Sequence, residues 1–165
     1  MEGICHAFYS YAEAKQIKLD YKSNFEYQNV WFDKEKMDSI TKNLISNAIK
    51  YTPAHGEVHI IICHDKDNWS LEITDTGIGI PAKEQKKLFK LHFRGSNAIN
   101  AKITGSGIGL MLVWKLVRIH KGKISIESVE KKGTRVKVIF PQKQFRNQQV
   151  PTETVQQENV APVSP

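Results

Sequence analysis

The sequence predicts a single α/β domain followed by an unstructured tail. Apolar residues recur at helical spacing in three segments and at alternate positions in several others. Glycine and proline fall mostly between those segments, and both patterns stop after Pro141. A chain of 165 residues, 40% hydrophobic and 25% charged, is long enough to bury one real core. Residues 1–142 are therefore read as the domain. Residues 143–165, rich in Gln, Pro, Thr and Glu with isolated Val, are read as a disordered linker.

Ile4, Phe8, Tyr11, Ala12 and Lys15 have helical spacing, after which Ile17, Leu19 and Tyr21 alternate as in a strand. Val30 to Phe32 reads as a strand. Asp33 suits the N-cap of the next helix, with Phe32 and Met37 placed for a hydrophobic staple. Met37, Ile40, Leu44 and Ala48 continue a buried stripe to about Lys50, where Thr52-Pro53 ends the helix. His55-Gly56 reads as a turn. Val58 to Cys63 and Trp69 to Ile73 form a hairpin around a polar turn. Pro81 opens a short helix reaching about Phe89, and residues 91–106 read as a long, and hence functional, loop. A helix from about Ile108 carries Leu112, Leu116 and Ile119, with Val113 and Val117 beside them, and Gly122 stops it. Strands at Ile124 to Val129 and Arg135 to Phe140 flank a Lys131-Lys132-Gly133 turn.

Composition narrows the function classes. The apolar stretches are short and broken by charge, and no signal pattern follows Met1. The reading is a cytoplasmic domain without direct membrane contact, whether or not its parent is membrane-bound. Cys5 and Cys63 lack metal-ligand spacing and read as reduced packing residues. The net charge of +7 suits a polyphosphate ligand, an acidic partner or nucleic acid. The basic residues are scattered and no nucleic-acid motif accompanies them, so no nucleic-acid partner is expected.

Three constellations carry chemistry. Asn43 and Asn47 share one helix face with Lys50 a turn further on, opposite the apolar stripe. Amide oxygens suit a hard divalent cation and an ammonium suits phosphate, although the same strip also reads as a solvated helix face. Asp75-Thr76-Gly77-Ile78-Gly79-Ile80-Pro81 puts a carboxylate at a strand end before glycines that allow close backbone approach. Such a carboxylate can accept from an exocyclic amine and so prefers adenine to guanine; a plain tight turn is the alternative. Gly105-Ser106-Gly107-Ile108-Gly109-Leu110 is a glycine-rich loop opening a helix, whose amide donors suit phosphate. It lacks the endings of a P-loop or a dinucleotide fold.

In this order, with Leu88-Phe89 and Phe93-Arg94 between them, the motifs resemble the histidine-kinase ATPase domain. That domain belongs to the wider group of DNA gyrase, Hsp90-type chaperones and MutL-type repair proteins. The resemblance covers roughly residues 8–141. Asn43 to Thr52 match its N box, Asp75 to Pro81 the first glycine box, Leu88 to Arg94 the F box and Gly105 to Leu110 the second glycine box. Lys132-Gly133-Thr134 resembles the closing Gly-Thr element. The resemblance implies a two-layer sandwich, a mixed sheet covered on one face by helices, known as the Bergerat ATP-binding fold.

The implied cofactors are ATP and Mg2+. Asn47 is the implied metal ligand and Asp75 the adenine contact. Lys50 and Tyr51 meet nucleotide, and Asn43 and Arg94 lie near the phosphates, so that Asn43, Lys50 and Arg94 are the catalytic candidates. Further implied contacts are Gly77, Gly79, Ile80, Phe93, Gly105, Ser106, Gly107, Ile108, Gly109, Leu110 and Thr134. Phe89 and Phe93 also suit plain core, and Lys102 reads as a solvated charge. The segment from about His92 to Ser106 is the implied ATP lid.

ATP-hydrolysing members of that group carry a glutamate base four residues before the metal-binding asparagine. Here Asn43 stands there, an amide that cannot take a proton. The resemblance therefore implies a kinase whose partners are a histidine-bearing dimerisation domain and a downstream response regulator or receiver domain. None of the six histidines has the setting of that family's acceptor, so the chain is expected to bind ATP without labelling itself. The alternative is a catalytically degenerate nucleotide-binding module. The tail further suggests a hybrid parent that continues to a receiver domain.

Overall fold

A computed structural model describes residues 2–24, 33–101 and 103–141, with side chains from Ala7 onward. The expected strand at Val30 to Phe32, the staple through Phe32, the Cys5 side chain, Lys102 and the tail 143–165 lie outside the described residues. The described elements run α1 (Glu2–Ala14), β1 (Lys18–Ser23), α2 (Lys34–Tyr51), β2 (Glu57–His64), β3 (Asn68–Asp75), α3 (Ala82–Gln85), α4 (Ser96–Asn100), α5 (Gly109–Ile119), β4 (Lys123–Val129) and β5 (Gly133–Pro141).

Helix α2 starts where the sequence places it. Asp33 accepts a hydrogen bond from the Lys36 backbone N–H at 3.1 Å, an N-cap contact worth about 1 kcal/mol. It ends at Thr52, whose backbone N–H and hydroxyl both donate to the Ala48 carbonyl, at 3.1 and 2.7 Å. Its buried face is broader than the expected stripe: Thr41, Ile45 and Ile49 join Met37, Ile40, Leu44 and Ala48. The extra width arises because α2 touches the sheet below and both α1 and α5 beside it.

The strands form one five-stranded sheet in the order β1-β2-β3-β5-β4, with β1 parallel to β2 and the other neighbours antiparallel. Alternation divides its faces. Val58, Ile60 and Ile62 of β2, Trp69, Leu71 and Ile73 of β3, and Val138 and Phe140 of β5 are buried against the helices. The opposite face carries ion pairs such as Glu72 with Arg135 at 2.8 Å. This is the expected two-layer arrangement with helices on one face.

Four local expectations need correction. The helix after Pro81 covers only Ala82–Gln85 and gives way to turns before Phe89, because its carbonyls pass to short-range turn bonds such as Lys87 N–H to Glu84 O at 2.8 Å. The segment 91–106 is not irregular throughout, since it contains the one-turn-plus helix α4, too short to show a period. On α5 the fully buried pair is Val113 and Val117; Leu112 and Ile119 are exposed, because the helix meets α2 through the neighbouring face. Cys63 is a half-buried thiol on the polar side of β2, not a core residue.

Candidate active site

A cavity of about 330 Å3 opens between α2, the ends of β3 and β5, and the segment from Leu88 to Leu110. The helical face of α2 contributes Asn43, Asn47, Lys50 and Tyr51, which the i, i+3, i+4 geometry stacks along one side. Asp75, Gly79, Ile80 and Thr134 line it from the sheet end. Phe93, Arg94, Gly105, Ser106, Gly107, Gly109 and Leu110 line it from the segment after Leu88 and the start of α5.

Asp75 ends β3 opposite Thr134 of β5, so strand pairing alone brings the first glycine box to the Gly-Thr element. Its Oδ1 accepts from the Gly77 N–H at 2.8 Å and the Thr134 N–H at 3.2 Å. Its Oδ2 accepts from no donor among the described residues. The residue is 8% exposed, and burial pushes the carboxyl up to about 6 in spite of the two amide donors. A carboxylate held by one oxygen with the other unengaged is suited to a ligand amine.

Two glycines are required by contact. Gly79 has φ of 61°, and a side chain there would run into the Val129 carbonyl. At Gly109 a Cβ would lie 2.7 Å from Asn43 Oδ1, so only glycine lets the N-terminus of α5 meet the amide face of α2.

The cationic side is crowded. Lys50 Nζ lies 5.1 Å from the centre of the Tyr51 ring, and Gly105 packs against the same ammonium. Burial, and then the neighbouring Arg94 guanidinium, hold the Lys50 pKa below its ordinary value. Burial raises that of Tyr51 while Arg94 works against it. Arg94 Nη2 donates to the Ile103 carbonyl; its buried Nε has no partner among the described residues. An anion entering here would meet donors already taken from water.

Two of the expected contact residues stand aside. Gly77 underlies the cavity through its bond to Asp75, and Ile108 is 37% exposed as the residue before α5. Other residues escaped the sequence reading. Asn97 lines the cavity and ties α4 to the first glycine box, its Nδ2 donating to the Gly79 carbonyl at 2.8 Å and to Ile78 O at 3.3 Å. Gln85 similarly donates to Ile80 O at 3.1 Å and Ser128 O at 2.8 Å. Both are ordinary polar residues in the sequence, and only their tertiary carbonyl partners distinguish them.

Fold and cavity together define a nucleotide-binding α/β sandwich domain. Residues 32–144 match the family described as histidine kinase-, DNA gyrase B-, and HSP90-like ATPase. The chain belongs to this family, as an ATP-binding catalytic domain of the sensor histidine kinase kind. It is 32% identical over 146 residues to the circadian input-output histidine kinase CikA of Synechocystis sp., covering 87% of this chain and 20% of that protein. It is 40% identical over 111 residues to CikA of Thermosynechococcus vestitus, covering 67% of this chain and 15% of that protein. The chain thus spans a fifth or less of these curated relatives. The nucleotide-free catalytic domain of histidine kinase ThkA has a like fold, with a TM-score of 0.73 at 22% identity over 86% of this chain and 90% of that one. Among the described residues no helix is long and apolar enough to cross a membrane.

Proposed function

We propose that this domain holds Mg-ATP in the cavity and donates the γ-phosphate to a histidine on a dimerisation domain, from which it passes to a response regulator or receiver domain. The observation that carries the reading is Asp75: a buried carboxylate with one oxygen engaged, in the same cavity as two asparagine amides and two cationic side chains. Asp75 would take the adenine amine, while Lys50, Arg94 and the amides of the Gly105 to Leu110 loop would meet the phosphates.

The donor set fits magnesium. Asn47 and Asn43 offer hard amide oxygens beside the phosphate side, and magnesium favours few protein ligands together with phosphate and water oxygens. Bound there through Asn47, it would neutralise phosphate charge. The chain's own residues then orient the phosphates and, with the lid, limit water.

Transfer is favoured over hydrolysis by the lining. Asn43 donates through Nδ2 to the Ser39 carbonyl at 2.8 Å, and an amide cannot remove a proton from water. The only carboxylate among the described residues lining the cavity is Asp75. A nucleophile from another domain would form its bond to the γ-phosphorus as the bond to the ADP oxygen breaks.

The test is calorimetric titration with ATP and GTP in Mg2+, followed by incubation with γ-labelled ATP. Selective ATP binding, with acid-labile label appearing only when a histidine-bearing dimerisation domain is added, is expected. A folded chain that binds neither nucleotide would overturn the reading in favour of a degenerate partner-binding module.

A further inference from the structure

Lys15 is the first residue of the turn that joins α1 to β1, and it does not line the cavity. Its ammonium nevertheless donates to three carbonyls at the C-terminus of α2: Ile49 at 2.8 Å, Lys50 at 3.2 Å and Thr52 at 3.1 Å. Three is the full donor capacity of an ammonium. The helix end is where carbonyls lack intrahelical partners and where the dipole favours a cation.

Two backbone bonds fasten the same corner, His55 N–H to Gln16 O at 2.8 Å and Lys18 N–H to Gly56 O at 3.0 Å. The clamped turn is also where the nucleotide site hangs. Lys50 and Tyr51 both project into the cavity, and the Tyr51 carbonyl accepts from the Ile78 N–H of the first glycine box at 3.0 Å. Burial without an acidic partner lowers the Lys15 pKa, so this placement opposes its own charge and is held by the three carbonyls.

We infer that Lys15 is a positioning residue for the nucleotide site. Its ammonium fixes the last turn of α2, and through it the Lys50 ammonium, the Tyr51 ring and the Ile78 backbone, so that α1 and nucleotide occupancy are coupled. The inference rests on the cavity being the ATP site. A helix cap of purely structural value would alter melting and leave the affinity of the folded chain unchanged. Coupling is reciprocal: if the clamp strengthens ATP binding, ATP strengthens the clamp by the same factor.

Two measurements test this. Calorimetry on Lys15→Met, at a temperature where circular dichroism shows it folded, should give ATP affinity weaker by about tenfold, with Lys15→Arg recovering most of the loss. On the unaltered chain, the rate of Lys15 acetylation should fall several-fold on saturation with Mg-ATP, while that of exposed Lys66 stays constant; this needs no variant to fold. Failure of the unaltered chain to bind ATP would sink the reading of the cavity itself. If it binds, equal affinity in folded Lys15→Met, or Lys15 acetylation indifferent to ATP, would overturn the clamp alone.

Discussion

Burial moves the Asp75 carboxyl from an ordinary 3.8 to about 6, so the folded chain holds a proton there that the unfolded chain has already released. Between those values the unfolded state binds fewer protons, and stability falls as pH rises. The penalty is absent below the lower value and complete above the upper one, where it amounts to about 3 kcal/mol. Asp75→Asn keeps an oxygen for Gly77 and Thr134 and removes the charge. It should therefore melt higher at pH 7, with the gain fading as pH falls toward 4, as thermal denaturation across that range will show. The same change presents an amide donor to the adenine amine and should weaken ATP by about ten- to a hundredfold. Wild-type affinity should itself fall about fivefold between pH 6 and 5 beyond any change seen in the variant. A variant with unaltered ATP affinity would remove Asp75 from the adenine contact.

At the scale of elements, helix α4 is pinned at its own N-terminus. Glu84 Oε2 accepts from the Ser96 N–H at 2.9 Å, Asn97 reaches the Gly79 carbonyl, and Ala98 is buried. Asn97→Ala removes two neutral hydrogen bonds of about 0.5–1.5 kcal/mol each, at a point that contributes little to the main core. Dissociation of a fluorescent ATP analogue should quicken about three- to tenfold with little change in melting; an unchanged rate would show that α4 does not gate release. This contact also marks where the sequence stops being legible. Helix α2, its Asp33 cap and its Asn43, Asn47, Lys50 strip were readable because cap, period and face are properties of neighbours three or four residues apart. Asp75 was readable because a strand end followed by glycines is a local pattern. Asn97, Gln85 and Lys15 act on carbonyls of other elements, and a polar side chain's distant acceptor leaves no local trace. Helix α4 has too few residues to express a period, and the buried side of α5 depended on where α2 would lie.

For the whole molecule, the sheet order places β3 at the centre, bonded to β2 and β5, with its last residue in the cavity. The cavity thus joins α2, the ends of β3 and β5, α4 and the start of α5, and a ligand filling it would bridge these elements. A ligand that binds only the folded chain stabilises it by mass action, about 2.7 kcal/mol at a hundred times its Kd. For a domain of this size that corresponds to a rise in Tm of roughly 5–10 °C. Mg-ATP should produce such a shift and GTP almost none, because guanine presents an acceptor oxygen to the Asp75 carboxylate. Asp75→Asn should start from a higher Tm and gain much less at the same ATP concentration. The two shifts separate folding from binding at one residue: a variant that starts higher yet gains as much as the wild type would leave the burial argument standing and remove the adenine contact, whereas one that starts no higher and gains little would do the reverse.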